Sequence, residues 1–500
     1  MKPMLVPHQD YQSFVIAQLR HHFSHGLLLL CKNDWPVILQ CLITDLSGIT
    51  SFLRNDYSTL GPAPRDPASM LRSYLLMLRV RPDLGITKWV DQLNTNRLYA
   101  ILSGFEPGDV PGVGTFYDFF ARLWGKYAKS LKPRKQRRNR KPKKGKKKGE
   151  KAPTATPGRV RRLVSWMMHH FDKRVELPSD RLFQLFQDSF LAVSAKLGLL
   201  GDVCRLSIAG DGMPVQTAAY PRSKPACDCR ARGLANCNHS RLYSQPDCDT
   251  GWDSARERYF NGYHLYTLTA ADSPHDLPLY PRLHPASRHD AVSFVMGIVE
   301  FSQRSTLGTV EKWILDSAHD ASAIYDLILH QNSKPFIDLN VRSAKPLETG
   351  RDIRLSPQGI PICPAGFEMR HDGFDHSQKR HKWKCPRMKN RTTCTCDQPC
   401  SDAKYGRTFH TQSQDNPRLF PEVPRGSEAW KLVYKRRTAV ERSNKRAKID
   451  YKLEAGRHRS TMMWMIRTYG VMMCQHVDAW YRHKEKELQA LIPRILPQAV

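Results

Sequence analysis

A chain of 500 residues and 57.4 kDa exceeds what one hydrophobic core usually supports, and 40% hydrophobic with 25% charged residues is the balance of a soluble globular protein. The net charge of +31 points to polyanionic partners, nucleic acid ahead of an anionic membrane surface. There is no run of 18 apolar residues to cross a membrane and no signal-peptide pattern at the N-terminus, so a cytoplasmic or nucleoid location is expected, where thirteen cysteines read as thiols or metal ligands.

Residues 1–130 read as a helical N-terminal domain. Arg65-Asp66-Pro67 precedes an amphipathic helix over Ala68–Arg79 with Leu71, Leu75, Leu76 and Leu78 inward, and further helices are predicted over Thr87–Leu93 and Gly114–Leu123. Such a module either binds DNA or docks another domain. Residues 131–160 form a basic linker: positions 132–151 hold thirteen Lys/Arg against one acid, Glu150, and too few apolar side chains to build a core. This tract is expected to be disordered, serving as a solvated linker or neutralising phosphates without reading sequence.

Residues 161–339 open with helix over Arg161–Leu199 and then change character. Strands are predicted at Val203–Ala209, Tyr263–Ala270, Leu277–Leu283, Trp313–Leu315 and Pro335–Leu339, with helices at Ala291–Gln303 and Ser322–Leu329. That order describes an α/β domain built on a mixed sheet. Residues 340–426, polar and Cys-rich, read as an insertion. Residues 427–456 close the domain with a long helix over Glu428–Tyr451, and residues 457–500 form a C-terminal helical segment led by a helix from Thr461 to about Leu488.

The Glu428–Tyr451 helix carries the sharpest signal. At 100° per residue Tyr434, Arg437, Glu441 and Lys448 share an arc of about 60°, opposite Leu432, Ala439, Val440 and Ala447. A lone carboxylate among so many cations is either a salt-bridge partner or a metal ligand beside a phosphate-binding row. Asp211, in Gly210-Asp211-Gly212, and Asp316, after Trp313-Ile314-Leu315, each follow a predicted strand, where turn and cap roles compete with chemistry. Asp202, Asp290 and Asp320 are rivals, with Asp320 read as the N-cap of Ser322–Leu329 and Asp290 as the cap of its own helix.

Tyr434-x2-Arg437-x3-Glu441-x6-Lys448 resembles the Y-R-E-K signature of bacterial insertion-sequence DDE transposases, across about residues 200–480 and more loosely over 65–123. The resemblance implies an RNase H-like catalytic domain of the retroviral-integrase superfamily, with the insertion preceding the Glu-bearing helix. It implies that Asp211, Asp316 and Glu441 are catalytic and hold two Mg²⁺ (or Mn²⁺) ions, while Tyr434, Arg437 and Lys448 contact DNA. Two such ions activate the attacking oxygen and stabilise the leaving one in phosphodiester transfer. The implied partner is double-stranded DNA, both transposon ends and target, bound by a homodimer that cleaves the inverted-repeat ends and joins 3′ ends to target. A silent or repurposed DNA-binding descendant and a metal-dependent nuclease of the same fold are the alternatives.

In the insertion, Cys363-Pro364, Cys385-Pro386, Cys394, Cys396 and Cys400 suit a structural Zn²⁺ or are reduced thiols. Cys227, Cys229, Cys237 and His239 form a second candidate cluster. Cys31, Cys41, Cys204 and Cys474 sit in apolar contexts and are expected in the core, as are Met462, Met463, Met465, Met472, Met473 and Trp480 on the last helix, a dimer contact being the alternative for these.

Overall fold

The structure is a computed structural model that describes residues 1–24, 28–125, 157–225, 233, 241–243, 245, 247–341, 347–348, 352–387, 396, 400–401, 403 and 406–497. The basic tract 132–151 and the cluster Cys227, Cys229, Cys237 and His239 lie outside these, as does Cys394.

Helices fill the first part: α1 (His8–Phe23), α2 (Asp34–Ile43), α3 (Ser47–Leu53), α4 (Pro67–Val80), α5 (Ile86–Thr95), α6 (Arg97–Ser103) and α7 (Val113–Trp124). Asp66 caps α4 by accepting from the backbone N–H groups of Ala68 and Ser69, with Pro67 in the first turn, where its missing N–H costs nothing. The helix predicted over Arg161–Leu199 is divided. α8 (Arg159–His169) is followed by a loop containing Pro178, then α9 (Asp180–Phe186), a π-helical turn at Gln187–Leu191 and α10 (Ala192–Lys196).

Then come β1 (Leu206–Gln216), β2 (Pro221–Pro225), β3 (Arg241–Tyr243), β4 (Asp249–Asp253), β5 (Arg258–Ala270), β6 (Pro278–Pro285), α11 (Asp290–Arg304), β7 (Val310–Leu315), α12 (Ser322–His330) and β8 (Lys334–Ile337). The main sheet has six strands in the order β4-β5-β1-β7-β8, with β6 also on β5. β1 and β7 are parallel, as are β7 and β8; β1 with β5, β4 with β5 and β5 with β6 are antiparallel. The fold is therefore mixed α/β, with a mixed sheet flanked by helices and a helical N-terminal region.

The sheet alternates between two cores. Ile208, Trp313, Leu315 and Ile337 face the large core that also takes in α11 and α12, whereas Ala209, Ile314 and Phe336 face a small cluster with Trp430 and Val440. The large core runs without interruption from Tyr11 to Leu496, so the N-terminal helices share it with the sheet. The insertion folds as β9 (Leu347–Glu348), β10 (Arg354–Leu355) and β11 (Pro361–Ile362) in one small sheet, and β12 (Arg370–Asp375), β13 (Arg380–Lys384) and β14 (Thr408–Gln412) in another.

The helix predicted over Glu428–Tyr451 is two helices, α13 (Glu428–Tyr434) and α14 (Thr438–Ile449), joined by a 3₁₀ turn at Lys435–Arg437. Trp430, Val433 and Tyr434 make one apolar stripe, and Ala439, Val440 and Ala447 another that lags it by about 90° on a continuous helix. The tighter turn over-rotates the chain by about 20° per residue and brings both stripes towards the sheet. α15 (Thr461–His483) stops before Leu488, which lies on α16 (Glu485–Gln489); α17 (Ile492–Ile495) follows. Met463, Met465, Met472, Met473 and Trp480 are core, as expected, and Gly470 lets α15 approach α4: a Cβ there would lie 2.6 Å from Leu78. Cys41 and Cys474 are buried, but Cys31 and Cys204 are exposed, since each lies in a loop or short turn rather than on an apolar face. Among the described residues no single helix is long and apolar enough to cross a membrane.

Asp320 is not a helix cap, a place taken by Ala321. Its buried carboxylate accepts from Arg418 (Nη2, 2.6 Å), the Tyr325 hydroxyl (3.0 Å) and the Asn340 N–H (2.9 Å), binding the arm that returns from the insertion to the main sheet. Asp320→Ala leaves the half-buried Arg418 guanidinium, the Tyr325 hydroxyl and the Asn340 N–H without their shared acceptor, and is expected to cost about 3 kcal/mol rather than the ~1 kcal/mol of a lost cap. Urea denaturation of the variant measures this, and a loss near the smaller figure would show that the Asp320–Arg418 pair does not hold the arm.

Candidate active site

The parallel register pairs Ala209 with Ile314, so two residues further along each strand Asp211 and Asp316 come side by side. Both continue the alternation of Ala209 and Ile314, towards α13 and α14. Asp211 does not follow its strand but lies inside it, opposite Thr267 of β5, because pairing with β5 continues to Gln216. Glycines look like a strand end in sequence; here they are extended and serve a packing need. A Cβ on Gly210 would stand 2.6 Å from the Tyr266 hydroxyl and 3.1 Å from Leu315, and one on Gly212 would overlap Asp290 Oδ1 and the His264 ring. The glycines flanking Asp211 therefore admit three polar side chains, those of Tyr266, Asp290 and His264.

Burial, then the charges of Asp290 and Asp316, push the Asp211 carboxyl up to about 7. Asp316 goes the other way. Burial is the largest influence and disfavours its charge, but the hydrogen bond and field of His319, with the Ala318 N–H, together outweigh this and hold the carboxyl below its ordinary range. Asp316 also caps the 3₁₀ turn Ser317–His319, its Oδ1 accepting from Ala318 N–H at 3.1 Å. Asp290 opens α11, whose cap is the His289 side chain; its Oδ1 lies 2.8 Å from His264 Nε2, and that contact, against the cost of burial, keeps it ionised.

Glu441 projects from α14 and pairs with Arg437, Nη2 to Oε1 2.7 Å, one turn before it. Burial opposes the Arg437 charge, yet the bond to Glu441 and the fields of Glu441, Tyr434 and Asp211 raise its affinity for the proton. Arg437 thus feels both Glu441 and Asp211. Tyr434 stacks on Trp430 (ring centroids 4.3 Å), and burial and the nearby Asp338 push its hydroxyl up to about 12. Lys448 is half-buried, pushed down by desolvation, and lies 3.6 Å from Glu454 on the turn beyond α14. The structure brings Asp211 and Asp316 together, with Arg437 feeling the charge of Asp211 and Tyr434 that of Asp316; Glu441 is reached through Arg437, and Lys448 is engaged by Glu454.

Among the described residues no three His, Cys, Asp or Glu side chains close into a ready metal-ligand set. The donor chemistry of the centre nevertheless suits a hard divalent cation: adjacent half-buried carboxylates whose mutual repulsion is relieved by positive charge. Asp211 and Asp316 would hold it, and Glu441 would join on leaving Arg437. In the insertion, Cys363 and Cys385 are buried, and burial followed by the fields of these two raises the Cys400 thiol. Gly366 N–H donates to Cys363 O at 2.8 Å, a tight turn on the Cys-Pro step. Cys396 is half-buried.

Sequence reasoning missed His264, Tyr266 and His319 and placed Asp290 only among rivals. The D-x2-H spacing of Asp316 and His319, and the same-face alternation of His264 and Tyr266 on β5, are the signals that carry them.

A raised carboxyl favours the folded state below the ordinary Asp range near pH 4, and that contribution is lost as pH rises through about 7. Asp211→Asn removes the buried charge without changing shape. In chelator, the variant is expected to match the wild type at pH 3 and to exceed it at pH 8, by up to about 4 kcal/mol. Thermal melts at the two pH values check this; equal differences at both would contradict the repulsion. The chain matches no family model and no curated protein.

Proposed function

We propose that this chain is a DDE-type DNA transposase with an RNase H-like catalytic fold, acting on double-stranded DNA with Asp211, Asp316 and Glu441 as its catalytic acids. The observation that carries the reading is the side-by-side placement of Asp211 and Asp316 on parallel strands, beneath the helix pair bearing Tyr434, Arg437 and Glu441. The antiparallel strands β1, β5 and β6 with β4 added at the edge, then a helix, a parallel strand, a helix and another parallel strand, with an insertion before the Glu-bearing helix, agree with it. When bound, Mg²⁺ or Mn²⁺ supplies charge for the attacking and leaving oxygens of a phosphodiester. The protein's own part is to hold the carboxylates fixed, to offer Arg437 to a non-bridging phosphate oxygen, and to free Glu441 in doing so. The net charge of +31 supports a DNA partner. Binding of inverted-repeat ends by a homodimer, a nucleoid location and a structural Zn²⁺ on the insertion thiols belong to the same reading.

The cations of α14 are unequally available. Arg436 pairs with Asp272, Arg442 with Asp276, Arg446 with Asp478 and Lys448 with Glu454. Lys435 and Lys445 are exposed and make no ion pair among the described residues, and Lys445 stands one turn beyond Glu441. A phosphate near Glu441 therefore meets Lys445 without displacing an acid.

The test is Mg²⁺-dependent cleavage and joining of a labelled duplex carrying the DNA that flanks the coding region. Asp211→Ala, Asp316→Ala and Glu441→Ala are each expected to abolish both steps while leaving duplex binding intact. Undiminished activity in any of them would overturn the assignment, and cleavage without joining in the wild type would make the chain a nuclease. In filter binding across a salt series, Lys445→Ala should weaken affinity and flatten the log–log salt slope by about one. Lys448→Ala should change the slope less; the reverse ranking would place the phosphate row beyond Glu454.

A further inference from the structure

Behind Asp316 lies a buried polar chain that the proposed chemistry does not use. His319, three residues after Asp316, has no solvent exposure in its side chain. Its Nδ1 lies 2.5 Å from Asp316 Oδ1, and its Nε2 lies 2.8 Å from the hydroxyl of Tyr266 on β5. A carboxylate can only accept, so the Nδ1 proton points to Asp316, and Nε2 on the far side of the ring is hydrogen-bonded to the Tyr266 hydroxyl. The ring is clamped by Phe294 of α11, edge-on at 5.6 Å between centroids, and by Tyr266 at 5.7 Å. Gly210 makes room for the chain, because any Cβ there would strike the Tyr266 hydroxyl.

Both protein contacts to the Asp316 carboxylate, from His319 and from Ala318 N–H, fall on Oδ1. Oδ2 accepts no hydrogen bond among the described residues. An imidazole locked on one oxygen fixes the carboxylate's rotation and leaves the other oxygen for a cation. We propose that His319, held by Tyr266, is a positioning residue that presents Asp316 Oδ2 to the divalent cation. The proposal rests on the metal-dependent reading of Asp211 and Asp316. It requires no proton transfer: the ring orients a ligand, as hydrogen-bonded partners of metal-binding carboxylates commonly do.

The experiment is Mn²⁺ binding to the full-length protein, followed by electron paramagnetic resonance and calorimetry without DNA, with thermal melts confirming that each variant folds. Asp316→Asn should abolish the high-affinity Mn²⁺ signal. His319→Ala should weaken Mn²⁺ binding about 10- to 100-fold, the usual effect of losing such a partner. His319→Asn, whose amide N–H can occupy the place of Nδ1–H, should recover most of the affinity. Tyr266→Phe, which keeps the packing and removes only the outer hydroxyl, should fall between wild type and His319→Ala. Wild-type affinity in folded His319→Ala, with binding still lost in Asp316→Asn, would overturn the positioning role and leave the metal site standing. Absence of Asp316-dependent Mn²⁺ binding in the wild type would sink the metal reading and the proposal together.

Discussion

Two carboxylates held side by side in a half-buried place are the constraint around which the centre of this protein is arranged. Parallel pairing of β1 with β7 up to Ala209 and Ile314 sets Asp211 against Asp316 just beyond, where Asp316 is held as the cap of the Ser317–His319 turn. Burial, and then the like charges of Asp290 and Asp316, lead the Asp211 carboxyl to hold its proton to about pH 7. The surroundings treat the two acids differently. Asp316 receives N–H donors from His319 and Ala318, while Asp211 faces the guanidinium of Arg437 across the gap to α14. One acid is kept ionised and the other is kept in need of positive charge, an asymmetry suited to taking up a cation.

The helix above the acids is itself restrained from outside the site. Asp478 of α15 receives Arg79 of α4 at 3.0 Å, Arg446 of α14 at 3.5 Å, Gln40 of α2 at 3.3 Å and the Tyr451 hydroxyl. Asp272 and Asp276, on the turn between β5 and β6, hold Arg436 and Arg442 of the same helical pair. The N-terminal helices, packed with α15 in one core, thus bear directly on the element that carries Glu441. Within that rigid frame the Arg437–Glu441 pair is partly exposed, and such pairs are worth little, so a phosphate can separate them at small cost.

Much of this was legible in the sequence. Alternation along Tyr263–Ala270, the apolar triplet before Asp316 and the 3.6 period of Ala291–Gln303 gave the sheet and its helices in the right order. The shared face of Tyr434, Arg437 and Glu441 follows from helical spacing, whereas Asp211 and Asp316 are singled out from turn and cap residues only by the resemblance. What escaped depends on packing between distant segments. Gly210 and Gly212 read as a strand end because glycine is poor in strands, yet their missing side chains are what Tyr266, His264 and Asp290 require. The phase slip between Trp430 and Val440 broke a helix that looks continuous in composition. Asp320 looked like a cap because nothing local announces Arg418, nearly a hundred residues away. Lys448 looked like a phosphate contact because Glu454 lies beyond the helix end.

The central claim is that Asp211 and Asp316 hold a divalent cation at a DNA phosphate. Its most direct measurement is a crystal structure of the protein with a duplex end and Mn²⁺, using the anomalous signal of the metal. The account predicts Mn²⁺ between the Asp211 and Asp316 carboxylates, with Glu441 turned from Arg437 towards the metal and Arg437 on a phosphate. DNA seated over α14 with no Mn²⁺ at these carboxylates, or Mn²⁺ bound elsewhere on the chain, would contradict it.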